Sequence, residues 1–307
     1  MLRVAFAGTP DFAAEILRAM NASEHEIGLV VSQPDRRRGR GRKLVPTPVA
    51  DFAREHDLPL LQPERISEAN GRIRENDVLV VAAYGQILRR PTLEAARLGA
   101  YNVHASVLPK YRGAAPVERA IITGETETGI SIMKMDEGLD TGPVARVVRT
   151  DIHPETTGGE LTERLAALGG EAMVEVLSEL EAGSITLREQ DSFEATYASK
   201  VSGEDQRIDW NATAREVSDV VRALSPRIGA RTGVAGRDET LKLWRVRPLD
   251  AGSGGGEAGR TTVEEGRILV WCGAGRVEVL ELQAPGARRM SAAEFLRGND
   301  ISGILLR

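Results

Sequence analysis

The hydrophobic positions of the first third of the chain come in short unbroken runs joined by amphipathic stretches. Val4 to Ala7 is one such run, closed by Gly8-Thr9-Pro10, and Asp11 to Met20 follows with apolar residues at helical spacing. Thr9 is placed to cap that helix and Pro10 to open it. Ile27 to Ser32 predicts a second strand, Pro48 to His56 a helix, Val78 to Ala82 a buried strand and Ala100 to Val103 another. Strands alternating with helices predict a parallel sheet with helices on its faces, an α/β class. Ile130 to Met135 and Val144 to Thr150 flank a glycine-rich connection and predict two further strands. Thr157 to Leu180 then predicts a long helix ending at Gly183.

Beyond Glu189 the pattern changes. Glu189 to Gln206 is polar and without period, and is expected to be a linker. Thr213 to Ala223 reads as a helix, and Thr240 to Val246, Arg267 to Cys272 and Val277 to Leu282 read as short strands around a flexible loop, Gly252 to Gly259. That is the mark of a small β-rich module. The expected organisation is a domain over 1–188, a linker over 189–206 and a second domain over 207–307. Charge divides at the same place: residues 1–206 carry 24 basic and 32 acidic side chains (net −8), whereas 207–307 carry 16 and 13 (net +3).

A net charge of −5 lacks the strongly basic balance of many nucleic-acid binders, so any such contact must be local. The one exception is Arg36 to Lys43, with six basic residues in eight. It is too charged to bury and too broken by glycine for a helix, and is expected to be a mobile loop suited to neutralising phosphates. A single cysteine, Cys272, excludes an intramolecular disulfide and a cysteine-cluster zinc site and fits a reducing compartment. The first residues run into a strand without the order of a secretion signal, and no apolar run approaches 18 residues, so the expected address is the cytoplasm, away from any membrane.

The densest polar constellation lies where the strand from Ala100 ends. Asn102 and His104, two residues apart, project to the same face of an extended backbone. An amide donor beside an imidazole suits the stabilisation of a developing oxyanion and the movement of a proton, and a strand-end pair satisfying backbone groups is the alternative. Asp140, with Gly138 and Gly142 two residues to either side, could orient His104 or simply sit in a solvated hairpin. Ser106 beside His104 and Asp140 admits a hydrolase reading, weakened by the lack of a Gly-x-Ser-x-Gly elbow. The turn after the first strand is not a Gly-x-Gly-x-x-Gly fingerprint, and the other histidines show no metal-ligand spacing, so neither a dinucleotide nor a metal is expected.

Taken together, these residues resemble the methionyl-tRNA formyltransferases over nearly the whole chain. The resemblance rests on Phe6-Ala7-Gly8-Thr9-Pro10-Asp11-Phe12, Gln33-Pro34-Asp35, Gly39-Arg40-Gly41, Asn102-Val103-His104, Ser106-Val107-Leu108-Pro109, Arg112-Gly113-Ala114-Ala115-Pro116 and Gly138-Leu139-Asp140-Thr141-Gly142. In the second domain it rests on Arg207-Ile208-Asp209-Trp210 and Met290-Ser291-Ala292-Ala293-Glu294-Phe295. It implies a Rossmann-like formyltransferase domain followed by an OB-like barrel that meets tRNA. The implied reaction moves the formyl group of 10-formyltetrahydrofolate, a co-substrate, to the α-amino group of methionyl initiator tRNA. Asn102 and a protonated His104 would stabilise the oxyanion, and Asp140 would orient His104 and assist proton removal.

By the same resemblance Ser106, Val107, Leu108 and Pro109 match a folate-contacting segment. Arg40, Arg42 and Lys43 match contacts to the tRNA acceptor end, Phe12 matches a lining residue of the methionine pocket, and by analogy the chain is a monomer. Two stretches depart from the family pattern: Arg36-Arg37-Arg38 stands where Arg-Pro-Ala is common, and Ser225-Pro226-Arg227-Ile228-Gly229-Ala230 where a Pro-Trp-Pro-Gly type stretch is common. The same chemistry on an amino-sugar nucleotide or purine precursor is the rival that explains Asn102, His104 and Asp140 equally well, but not the basic loop. An RNA-binding protein without catalysis is the other.

Overall fold

Apolar runs without alternation become strands covered on both faces, and the first strands of this chain do so. The computed structural model describes residues 1–38, 43–250 and 255–307. Arg40 and Arg42, the tip of the basic run, and part of the glycine-rich loop at 252–259 lie outside the described residues. Two compact units result, one from Met1–Pro116, Glu127–Thr150 and Thr162–Ala198, the other from Val117–Thr126, Asp151–Leu161 and Ser199–Arg307.

The elements run β1 (Arg3–Gly8), α1 (Asp11–Asn21), β2 (Glu26–Val31), β3 (Arg36–Arg38), β4 (Lys43–Val45), α2 (Pro48–Glu55), β5 (Leu60–Leu61), α3 (Asn70–Ile73), β6 (Val78–Ala82), α4 (Arg90–Leu93) and β7 (Ala100–His104). Next come β8 (Arg112–Gly113), α5 (Pro116–Ile122), β9 (Glu127–Lys134), β10 (Val144–Asp151), α6 (Gly158–Ala182) and β11 (Tyr197–Ala198). Seven strands form one sheet in the order β10-β9-β7-β6-β1-β2-β5. From β5 to β7 all neighbours are parallel, and β9 runs antiparallel to β7. Ala5, Ala7, Leu29, Val31, Leu79 and Val81 fill one layer against Ile66, Ile73 and Leu93. Each of the larger side chains contributes about 1.5–3 kcal/mol by leaving water.

On α6 a glycine pair sets the packing distance. A Cβ on Gly169 would stand 2.8 Å from Val103 Cγ1, and one on Gly170 2.6 Å from Ala19 Cβ. Glycine inside a helix costs about 1 kcal/mol relative to alanine, and here it permits the close approach.

From β1 the chain builds outward to β2 and β5, then returns to lay β6 on the other side of β1. The strand order reverses between β1 and β6, and ligands of open α/β sheets bind at the carboxyl ends of strands beside such a reversal. Thr9, at that point, does not cap α1 as expected; Pro10 holds the cap position without a side-chain bond. The Thr9 hydroxyl instead donates to the Tyr84 carbonyl (3.0 Å), bridging the ends of β1 and β6. The basic run is likewise not simply a loop, because β3 and β4 pair antiparallel, Arg36 with Val45 through Arg38 with Lys43.

The second unit contains α7 (Ala214–Leu224), β12 (Ala230–Gly233), β13 (Thr240–Leu249), β14 (Thr261–Glu264), β15 (Arg267–Trp271), β16 (Arg276–Gln283), β17 (Met290–Ser291) and α8 (Ala292–Leu296). Its strands pair in the order β12-β13-β16-β15-β14, with β17 also on β16, and each of these pairings is antiparallel. The outer strands are tied together by the last residues: Val234 bridges Leu306, Arg260 bridges Leu305, and Gly233 and Arg307 exchange backbone hydrogen bonds. That closure is how small barrels remove exposed strand edges. Ile208, Trp210, Val221, Leu243, Val279 and Phe295 fill the interior. Thr213 and Glu216 form the capping box of α7.

Two arginines draw distant stretches into this unit. Arg119 of α5 grips Asp205 with two hydrogen bonds (2.6 and 2.8 Å) and, with further bonds from Ser202, holds that carboxyl well below its ordinary range. Buried Arg222 pairs with Asp219 (2.7 Å) and donates to the Thr156 carbonyl (2.8 Å).

Cys272 is buried in this core, and burial pushes its thiol up to about 12. Since the thiolate is the nucleophile, Cys272 is expected to resist alkylation at pH 8 in the native protein and to react only on unfolding. Mass measurement after iodoacetamide, with and without denaturant, checks this.

Candidate active site

Alternation along β7 turns Asn102 and His104 to one face, and β7 ends at His104 on the ligand-binding edge of the sheet. The loop between β9 and β10 brings Asp140 to the same place. Asp136 Oδ1 pins that loop by accepting from the Gly138 N–H (3.0 Å) and the Thr141 hydroxyl (2.7 Å). Asp140 then stands with Oδ1 3.4 Å from Asn102 Nδ2 and Oδ2 3.7 Å from His104 Nδ1. Oδ2 also accepts the backbone N–H of Gly113 (2.8 Å). Two side chains and a backbone N–H thus meet around one carboxylate, with His104 buried and Asn102 half-buried.

The other imidazole nitrogen, His104 Nε2, lies 3.0 Å from the Tyr111 carbonyl. A carbonyl only accepts, so Nε2 carries a hydrogen and Nδ1 is the nitrogen turned to Asp140. Tyr111 (φ 57°) and Asp140 (φ 53°) both adopt the left-handed conformation, at about 1–3 kcal/mol each. Gly113 has φ +117°, and a Cβ there would stand 2.8 Å from the Ala198 carbonyl oxygen across the β8–β11 pairing. Only glycine presents its N–H to Asp140 from that position.

The polar stretch expected to be a linker supplies a further support. Gln190 Nε2 donates to the carbonyls of Asp140 (2.9 Å) and Gly142 (2.7 Å). Its Oε1 accepts from buried Arg112 (2.8 and 3.1 Å), which fixes the orientation of the amide. Gln190, the Tyr111 carbonyl and the Gly113 N–H were not singled out from the sequence. Two act through the backbone, and Gln190 carries no periodic or motif signal.

The remaining sequence candidates fall as follows. Ser106 is fully buried and its hydroxyl donates to the Lys110 carbonyl (2.6 Å), which removes it as a nucleophile. Leu108 packs with Met133 and Val144, while Val107 and Pro109 are half-buried. Phe12 is buried in α1 and does not line the nearby cavity. Lys43 begins β4. That cavity, about 500 Å³, opens at the β1–β6 reversal between Thr9, Gln33, Arg36, Thr47, Tyr84 and Gln86, beside but not including the Asp140 cluster.

Elsewhere Glu24, His25 and Glu181 bring donor atoms within 4.8 Å of one another, an arrangement the sequence spacing did not indicate. His25 Nδ1 already accepts from the Leu2 N–H (3.3 Å), and burial lowers the imidazole's affinity for a proton.

This fold and site define a formyl transferase: the family model of that description matches residues 2–177, and the formyl transferase C-terminal domain matches 200–300. Methionyl-tRNA formyltransferase of Rubrobacter xylanophilus is 58% identical over 306 residues, the whole of both chains. The chain belongs to the methionyl-tRNA formyltransferase family. Among solved structures, HypX from Aquifex aeolicus superposes with a TM-score of 0.69 at 16% identity over 98% of this chain, which spans about half (48%) of HypX. An N-formyltransferase from Helicobacter canadensis, solved with folinic acid and dTDP-3-aminofucose, gives 0.66 at 17% identity, covering 92% of this chain and 100% of its own.

Because Gln190 holds the main chain on either side of Thr141, Gln190→Ala is expected to lower kcat roughly tenfold or more, the cost of small misplacements at a reacting centre. Both substrate KM values and the melting temperature should hold. Steady-state formylation with each substrate varied in turn checks this.

Proposed function

We propose that the Asn102–His104–Asp140 cluster transfers the formyl group of 10-formyltetrahydrofolate to the α-amino group of methionine on initiator tRNA. The observation that carries the residue roles is the meeting of Asn102 and His104 with a carboxylate 38 residues beyond Asn102 in sequence, at the ligand edge of the sheet. The neutral amine attacks the formyl carbon; the new C–N bond forms as the carbonyl electron pair moves onto oxygen. Asn102 Nδ2 and the Nδ1–H of protonated His104 donate to that oxyanion. Asp140 keeps the imidazole oriented and assists removal of the proton lost by the amine, through water. Collapse restores the C=O bond and breaks the bond to N10, which leaves protonated as tetrahydrofolate.

The turn from Ser106 to Pro109 then meets the folate through its half-buried members, Val107 and Pro109. The basic run, with Arg40, Arg42 and Lys43, meets the acceptor phosphates, and the closed β-rich unit offers a surface of the kind that binds oligonucleotides. By resemblance, Phe12 is the residue that helps line the methionine pocket. In this reading the chain works as a monomer in the cytoplasm; no helix among the described residues is long and apolar enough to cross a membrane.

Removing one oxyanion donor typically costs about 10²–10³ in kcat. Asn102→Ala, His104→Ala and Asp140→Ala are expected to lose on that order while staying folded. Near-normal single-turnover rates in folded His104→Ala would overturn the assignment. With initiator Met-tRNA, elongator Met-tRNA and free methionine offered as acceptors, transfer is expected to the first; transfer to none would defeat the acceptor reading.

A further inference from the structure

We infer that Asp35 is a positioning residue for the acceptor, a clasp that closes the base of the basic ribbon and sets where it stands over the cavity. The inference rests on the proposed reading that this ribbon meets tRNA phosphates. A two-stranded ribbon is marginal by itself in water, so the placement of β3 and β4 must come from their base. The ribbon leaves the sheet at Asp35 and returns at Thr47.

The Asp35 carboxylate ties the outgoing leg to its supports. It accepts Gln62 Nε2 on Oδ1 (2.6 Å) and Arg54 Nη2 on Oδ2 (3.1 Å), with the Thr47 backbone N–H of the returning leg a weaker influence on it. Gln62 Nε2 donates in addition to the Gln33 carbonyl (2.9 Å), and Arg54 Nη2 to Gln62 Oε1 (2.7 Å). Arg54 lies in the last turn of α2, and Gln62 directly follows β5. The returning leg is held again where the Thr47 hydroxyl meets Ser32 Oγ (2.6 Å) and caps α2. The ribbon therefore takes its position from the sheet and α2, and its inner members Arg36 and Val45 form one wall of the 500 Å³ cavity.

Charge points the same way. An acid at the mouth of a run meant for phosphates would oppose binding if left bare, and here Arg54 takes up its charge. Burial alone would raise the Asp35 pKa, but the bonds from Gln62, Arg54 and Thr47 outweigh it and hold the carboxyl below its usual range. Arg54 is about half exposed, at 46%, and such partly exposed pairs add little to global stability. Their value lies in geometry.

The test is kinetic. Asp35→Ala, and independently Gln62→Ala, are expected to raise KM for Met-tRNA about tenfold, within what small misplacements cost. The KM for the formyl donor, kcat at saturating tRNA and the melting temperature should hold. In a chain already carrying Arg40→Ser, Arg42→Ser and Lys43→Ser, Asp35→Ala should add nothing further. If the triple change leaves KM for Met-tRNA unaltered, the tRNA reading of the ribbon fails and the clasp with it. If the triple change raises KM but neither Asp35→Ala nor Gln62→Ala does, or if their losses fall equally on both substrates, the clasp alone is overturned. Should Asp35→Ala not fold, the Gln62→Ala result decides on the same terms.

Discussion

The bond from the Gly113 N–H to the Asp140 carboxylate is the contact on which the rest of the candidate site's geometry depends. It joins two loops that follow different strands, and it leaves the carboxylate facing Asn102 and His104 from β7. In a partly buried setting an oriented carboxylate interacts with an imidazole far more strongly than it would in water. The same setting makes misplacement costly, and much of the surrounding structure resists it. The Asp136 turn holds the loop from one side and Gln190 from the other, while Tyr111 holds the far nitrogen of His104. The left-handed conformations of Tyr111 and Asp140 are tolerated because these bonds over-determine them.

The sheet was legible where burial leaves a simple signature. β1, β2 and β6 read as strands because both of their faces are covered, and α1 reads as a helix because only one of its faces is. Asn102 and His104 were legible as a pair because spacing of two fixes a shared face, and the resemblance to a known family joined Asp140 to them. What could not be read is carried by atoms that every residue has. The Tyr111 carbonyl leaves no mark of residue type, and the glycine at 113 marks a tight backbone path without saying which group its N–H meets. Gln190 sits in a polar stretch whose partners are 50 and 48 residues away. Thr9 shows a related limit: its hydroxyl could cap a helix or bridge two strand ends, and the choice depends on where the Tyr84 carbonyl falls. In the basic run, charge and glycine argued for a loop, and pairing of Arg36–Arg38 with Lys43–Val45 produced a ribbon instead.

The candidate catalytic cluster and the basic ribbon lie in different parts of the first unit. The Asp140 cluster stands at the end of β7, whereas the ribbon and its cavity stand over β1 and β6. Asp35 illustrates this separation, being bound to α2 and to the residue after β5 rather than to anything at the reacting centre.

The second unit is gathered from three separate stretches of the chain. Arg119, from inside the sequence of the first, satisfies Asp205, and the Thr156 carbonyl satisfies Arg222. A gene segment encoding only the carboxyl third would carry Asp205 without Arg119, and would leave buried Arg222 with Asp219 but without the Thr156 carbonyl. Recombination could not readily trade this barrel between proteins as a cassette, so its specificity would have to diversify by point substitution in place, in step with the sheet whose chain it interrupts.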